Sequence, residues 1–158
     1  VDPFVRQNDF ALDVFYKPEP DEKPIVLGWD MSGVVTQAGD AVTEFKAGDE
    51  VSGLVNFFGR GGTNAEYVAA PATHLAKKPA NITHEEAAGA CLTALTAWQS
   101  IVTYGQVKKD QKVLIHGAGG GVGHFAVQLA KLHGAYVIGT GSAESEEFVR
   151  GFVQKGGE

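Results

Sequence analysis

The sequence predicts an α/β chain with an all-β part: a partial β-barrel or sandwich, followed by a single βαβ unit. Three features carry this. Residues 113–123, VLIHGAGGGVG, run from an apolar triplet into a glycine turn. Residues 125–131 then place Phe125, Val127, Leu129 and Ala130 at the spacing of a helix face, and residues 136–140, YVIGT, read as a second strand. Strand, glycine turn, helix and strand make one βαβ unit of the usual length, roughly 30 residues. Upstream, short β-type runs between Gly/Asp turns recur from residue 31 to residue 78.

Each glycine of the turn has a physical task. The first supplies a positive φ for the sharp strand-to-helix reversal, the middle one lets a pyrophosphate approach the backbone, and the last lets the helix pack closely. The helix N-terminus offers unpaired N–H groups and partial positive charge to that pyrophosphate. The fingerprint reads Ala118-x-Gly120-x-x-Gly123, or equally Gly117-x-x-Gly120-x-x-Gly123. Dinucleotide binding is the functional reading, and a merely structural turn the alternative. A phosphate-loop nucleotidase is excluded, because no Lys-Ser or Lys-Thr follows the glycines.

The tip of the second strand bears on the cofactor. An Asp or Glu there normally holds a free ribose 2′-hydroxyl. Here the residues are Gly139, Thr140, Gly141 and Ser142. This leaves room for a 2′-phosphate, so NADP(H) is favoured over NAD(H). A basic partner for the phosphate is expected as well, with Arg150 the nearest candidate. The alternative is that Glu144 or Glu146 folds back to serve as the acid.

Composition narrows the class. A length of 158 residues suits one domain or slightly more, and 44% hydrophobic with 20% charged residues suits a soluble globular protein. A net charge of −6 opposes non-specific binding to nucleic acid or to acidic membranes. No apolar run approaches membrane-spanning length, and no signal peptide is visible. The chain begins at Val1, so its natural N-terminus is expected to lie upstream. One cysteine excludes an internal disulfide and suits a reducing, cytoplasmic setting.

In chain order, residues 1–24 read as strand remnants and a loop. Strands are expected at residues 31–38, 51–55 and 65–70, with residues 74–78 extended and a glycine-rich loop over 56–64. Thr83-x-x-Glu86 is a capping box opening a helical stretch, and Glu85 and Glu86 suit its positive end. One or two helices follow, broken near Thr93 and ended by Gly105. No internal repeat or low-complexity segment is present.

The segments VLGWDMSGVV (26–35), FKAGDEV (45–51), AEYV (65–68), HEEAAGACLTALTAW (84–98) and VLIHGAGGGVG (113–123) occur in that order and spacing. Together they resemble the zinc-independent, quinone-oxidoreductase-like branch of the medium-chain dehydrogenase/reductase superfamily, over residues 24–142. The resemblance implies a GroES-like catalytic β-domain at residues 1–93, lacking its first strands. It also implies the first βαβ unit of a Rossmann NADP-binding domain at residues 94–158. The tail over 151–158 departs from the family pattern, and one βαβ unit cannot cover both faces of a parallel sheet. The chain is therefore expected to be a fragment, or to have pieces missing.

The resemblance also implies roles. Backbone N–H groups of Gly120, Gly121 and Val122 would bind the pyrophosphate, and Thr140 and Ser142 would meet the adenosine ribose and 2′-phosphate. Thr96 would contact the cofactor near its nicotinamide, the alternative being a hydroxyl that caps or breaks a helix. Trp29, Phe57 and Phe58 would line a slot for a flat acceptor, the alternative being plain core. No metal is expected. Zinc-binding relatives carry Gly-His-Glu where this chain has Gly28-Trp29-Asp30, and Cys91 alone supplies no thiolate set. Histidines 74, 84, 116, 124 and 133 have no ligand-type spacing. The implied activity is NADPH-dependent hydride transfer to a quinone, enone or other activated carbonyl, with a homodimer as the full-length form. The alternative is a non-catalytic NADPH-binding or sensor protein on the same fold.

Overall fold

The computed structural model describes residues 6–7, 9–16 and 24–154. The chain divides into two compact units, Val1–Cys91 and Leu92–Glu158.

The first unit holds an antiparallel sheet of three strands, β1 (Asp30–Val34), β2 (Glu50–Leu54) and β3 (Leu75–Lys77), with β2 in the centre. Ser32 lies opposite Ser52, and Ser52 opposite Ala76. Among the described residues the sheet is open, not a closed barrel. Gly53 has its place because a Cβ there would run into the carbonyl of His74, at the approach to β3. A core of Ala11, Tyr16 and Trp29 gathers Leu12, Phe15, Ile25, Leu27, Leu54 and Phe57.

Several expectations for this unit are corrected. Residues 9–15, expected as strand remnant or loop, form helix α1 (Asp9–Phe15). Ala11, Leu12 and Phe15 recur at helical spacing and meet the core, so packing outweighs the irregular composition. Of the rest of the expected N-terminal stretch, residues 1–5, 8 and 17–23 lie outside the described residues. The strand expected over 31–38 stops at Val34, because beyond the Val34–Glu50 pair the ladder loses its register: Val35 N–H donates to the Asp49 carbonyl while the Val35 carbonyl accepts from Gly48 N–H. Residues 65–70 are not a strand; β propensity yields a strand only where a neighbour offers a ladder.

Helix α2 (His84–Trp98) begins at the capping box. Glu86 N–H donates to Thr83 Oγ1 at 3.2 Å, and Thr83 N–H donates to Glu86 Oε2 at 2.9 Å. The Glu85 carboxyl is held below the ordinary range, first by its own backbone N–H and then by the Thr83 hydroxyl. The expected break near Thr93 does not occur. The Thr96 hydroxyl donates back to the Leu92 carbonyl at 2.7 Å, which keeps threonine within a helix. A π-helical stretch, Gln99–Tyr104, follows and ends at Gly105. A Cβ on Gly105 would collide with the carbonyl of Ser100, which accepts its N–H.

The second unit is the expected βαβ arrangement. Strand β4 (Lys112–Ile115) pairs in parallel with β5 (Tyr136–Gly139), and helix α3 (Gly121–Leu132) connects them. Ile115, Ala118, Ala126, Val127 and Ala130 are buried between sheet and helix. Helix α4 (Glu146–Gln154) follows a short 3-10 turn and packs Val149 and Phe152 on the same core.

The capping box generates a stability test. Thr83→Ala removes an acceptor from the first turn of α2 and is expected to lower unfolding free energy by about 0.5–2 kcal/mol, whereas Thr83→Ser retains it. Urea titration followed by circular dichroism reads the difference; an unchanged midpoint for Thr83→Ala would show that the box is not holding the helix.

Candidate cofactor site

The site grows out of the turn between β4 and α3. Gly117 has φ +65°, a conformation that a side chain strongly disfavours. Its carbonyl accepts the Gly120 N–H at 2.9 Å. A Cβ on Gly123 would collide with that carbonyl and with Ala118, so this glycine allows α3 to approach the turn. Gly120 is the N-cap, with φ −79° and ψ 170°, and no side chain caps the helix. Its backbone is ordinary extended conformation, so the positive φ belongs to Gly117 alone within this turn.

One expectation changes here. The Gly120 N–H is spent on Gly117 and is not a free donor. Gly121 and Val122, both exposed, open α3, where helix geometry gives their N–H groups no intrahelical acceptor.

The tip of β5 is fastened beside this turn. Ala118 N–H donates to the Thr140 carbonyl at 2.7 Å, and Thr140 N–H to the Ile115 carbonyl at 3.0 Å. The Thr140 hydroxyl lies 3.1 Å from His116 Nδ1, and Gly117 N–H donates to it at 3.4 Å. Next to the tip opens a cleft of about 650 Å³ walled by Thr140, Gly141, Ser142, Ser145, Glu146 and Arg150, among others. Two of its wall residues were expected from the strand tip, Thr140 and Ser142.

One was missed. Ser145 lies under both Gly119 and Gly141: a Cβ on Gly141 would stand 2.7 Å from its Oγ, and a Cβ on Gly119 would meet the same side chain. Glu146 and Arg150 face the cleft from α4 and are bonded to each other, Arg150 Nε donating to Glu146 Oε1 at 2.8 Å. Their i, i+4 spacing is the signal of the pairing, which the sequence reading did not draw.

Thr96 is half-buried on α2, with its hydroxyl proton committed to Leu92. Trp29 is 2% exposed, its indole N–H donates to the Gly59 carbonyl at 2.7 Å, and Phe57 stands edge-on to it. It packs as core and does not front a slot. Phe57 is half-buried beside it, and only Phe58 of the three is largely exposed. A larger cleft, about 1210 Å³, runs along β1 and residues 65–72, and none of the three aromatic residues forms its walls.

Cys91 is half-buried and donates to the Ala87 carbonyl at 3.2 Å. Burial pushes its thiol pKa up, and the charge of Asp30 adds to the effect. Among the described residues no three of His, Cys, Asp and Glu come together in a metal-holding group, and no helix is long and apolar enough to cross a membrane.

With this geometry in hand, the chain can be set beside known proteins. Residues 5–80 match the alcohol dehydrogenase GroES-like domain. The chloroplastic quinone-oxidoreductase homolog of Spinacia oleracea is 39% identical over 137 residues, covering 84% of this chain. An alcohol dehydrogenase superfamily protein from Novosphingobium aromaticivorans superposes with TM-score 0.82 at 38% identity, over 93% of this chain and 43% of its own. The chain belongs to the medium-chain dehydrogenase/reductase superfamily, in its quinone-oxidoreductase-like branch. Another solved relative of this superfamily member is the Escherichia coli quinone oxidoreductase complexed with NADPH, with TM-score 0.77 and 32% identity over 96% of this chain and 43% of that one. The superfamily member described here spans 41% of the spinach protein's length.

The raised thiol pKa generates a reactivity test. Burial disfavours the thiolate, so Cys91 in the folded protein is expected to alkylate with iodoacetamide at pH 8 about tenfold or more slowly than in urea. Intact-mass time courses give both rates. Equal rates would mean that the thiol is neither buried nor shifted.

Proposed function

We propose that this chain is the cofactor-holding portion of an NADPH-dependent oxidoreductase that reduces a quinone, enone or other activated carbonyl without zinc. The observation that carries the reading is the strand tip: Gly139, Thr140, Gly141 and Ser142 meet a cleft beside an uncapped helix N-terminus, with no carboxylate on the tip itself. Family membership supports the broader oxidoreductase assignment. The NADPH complex of the E. coli relative supports the choice of nucleotide.

The residues present fit a dinucleotide. Gly119, Gly120 and Gly121 keep the surface of the turn free of side chains, and Gly123 keeps α3 close to it. When bound, the nicotinamide supplies or accepts the hydride. The chain's own task is to hold and orient. Gly121 and Val122 N–H groups would receive the pyrophosphate, aided by the helix dipole. Thr140 and Ser142 hydroxyls would serve the ribose and its 2′-phosphate. Thr96, through the lone pairs left after its bond to Leu92, would act on the nicotinamide side, and Phe58 would offer the exposed apolar ring for a flat acceptor. Trp29, an indole in the core, and Cys91, a half-buried thiol whose pKa burial raises, are poor metal donors, which supports the zinc-free reading. A reducing compartment and a homodimer complete the proposal.

Two measurements test it. Gly120→Val places a branched side chain on the phosphate path. The backbone there already suits valine, and its Cβ would stand 3.2 Å from the Gly117 carbonyl, a small adjustment. NADPH affinity is expected to fall at least tenfold in calorimetric titration while circular dichroism stays native; a folded variant with unchanged affinity would place the cofactor elsewhere.

Cofactor preference is the second. A charge-assisted hydrogen bond to phosphate is worth about 1.5–3 kcal/mol, one to two decades in affinity. The protein is therefore expected to bind NADPH at least about tenfold more tightly than NADH. Gly141→Asp, with Ser145 swinging aside, is expected to reverse that order by repelling the phosphate. Equal affinities in the parent protein, or a variant that still prefers NADPH, would sink the strand-tip argument.

A further inference from the structure

The strand tip lacks a carboxylate, yet the cleft does not. Glu146 sits in the cleft wall, one helical turn before Arg150 on α4, and Arg150 Nε donates to its Oε1 at 2.8 Å. Val149, half-buried on the core between them in sequence, also lines the cleft and fixes which face of α4 is turned toward it. The cleft thus contains one guanidinium, already engaged, and the carboxylate that engages it.

Both side chains are well exposed, at 66% for Arg150 and 59% for Glu146. An i, i+4 pair in water is weak and is readily exchanged for a better acceptor. A phosphate is such an acceptor: it carries more charge than a carboxylate and takes two parallel bonds from the guanidinium fork. With Glu146 on Nε, however, the fork's Nε edge is occupied, and a phosphate must displace the carboxylate to use it.

We infer that Glu146 limits how strongly this cleft favours a 2′-phosphorylated nucleotide, because it competes with the phosphate for Arg150. The inference rests on the dinucleotide reading of the cleft and deepens it. Glu146 is a specificity-determining residue acting through Arg150. Gly141 and Ser142 admit the phosphate, and Glu146 restrains the cation that would reward it.

The test uses two probes that differ only by the 2′-phosphate, adenosine 2′,5′-bisphosphate and adenosine 5′-monophosphate, titrated calorimetrically at 0.15 M salt, where longer-range charge effects are screened. Glu146→Gln is expected to tighten the bisphosphate about twofold to fivefold and to leave the monophosphate unchanged. In an Arg150→Gln background the same substitution is expected to bring no gain, a double-mutant cycle that isolates the competition. Glu147→Gln removes an equal charge from the same turn at a residue outside the cleft wall, and is expected to bring no gain either. Exposed positions make these variants tolerable to the fold. The inference is overturned if Glu146→Gln leaves bisphosphate affinity unchanged, tightens both probes equally, weakens the monophosphate, or acts undiminished without Arg150; a Glu147→Gln gain of the same size overturns it too. A parent protein that binds neither probe overturns the dinucleotide reading, and this inference with it.

Discussion

The carbonyl of Gly117 is the point on which the second unit turns. It accepts the Gly120 N–H, and it occupies the space into which a Cβ of residue 123 would project. A positive φ at Gly117 aims the carbonyl there, and the absence of a side chain at Gly123 lets α3 come up against it. Buried Ala118, Ala126 and Val127 can then close the gap between helix and sheet. At position 123 the absence of a side chain is a geometric requirement, since a Cβ there would lift α3 away from the turn. The same turn leaves α3 uncapped by any side chain, so the requirement that packs the helix also exposes its first N–H groups. Structure and binding capacity here have one cause.

A second constraint runs from the turn to β5. The Ala118 N–H fastens the Thr140 carbonyl, and the Gly117 N–H reaches the Thr140 hydroxyl. The strand tip is therefore registered against the glycine turn by backbone bonds. Its distance from the helix N-terminus does not depend on long side chains. This is why a sequence pattern restricted to glycines and two short strands carries so much information: the parts that must be placed are main-chain groups, and glycine is the residue that most readily comes close to a ligand or adopts a positive φ.

That same logic explains what was legible and what was not. The capping box, the glycine turn, α3 and both parallel strands are local: each is written in residues within a few positions of one another. Helix α1 was not legible, because its stretch DFALDVF is an acceptable helix only once Ala11, Leu12 and Phe15 find Trp29 and Phe57, distant in sequence. Residues 65–70 carry strand propensity without a partner, and propensity is a poor guide when the ladder is missing. Thr93 and Thr96 suggested a break, whereas a threonine hydroxyl can satisfy the helix it sits in. At the site, the glycines announced which backbone was near the ligand, but not that Gly120 would use its own N–H to close the turn. Ser145 was invisible because its place under Gly119 and Gly141 is a through-space contact between loop and 3-10 turn. Trp29 illustrates the converse: an aromatic residue in a motif reads as a candidate for binding until its burial is known.

The cleft finally depends on how α4 is anchored. Its residues alternate in task over a single turn: Phe148 and Phe152 meet the ring of His124 on α3 at 5.8 and 5.9 Å, and pack edge to face with each other at 4.8 Å. Val149 goes to the core. Glu146 and Arg150 are left on the cleft side. Burial lowers the His124 pKa, which favours the neutral imidazole that stacks with least desolvation loss against phenyl rings. An aromatic contact between two helices thus sets the rotation of α4, and the rotation decides that a carboxylate and a guanidinium, and not two phenylalanines, face the strand tip. The chemistry of the cleft wall is a consequence of packing on the opposite side of the same helix, which is why the strand-tip pattern could name Glu146 and Arg150 as candidates but not their pairing across the cleft wall.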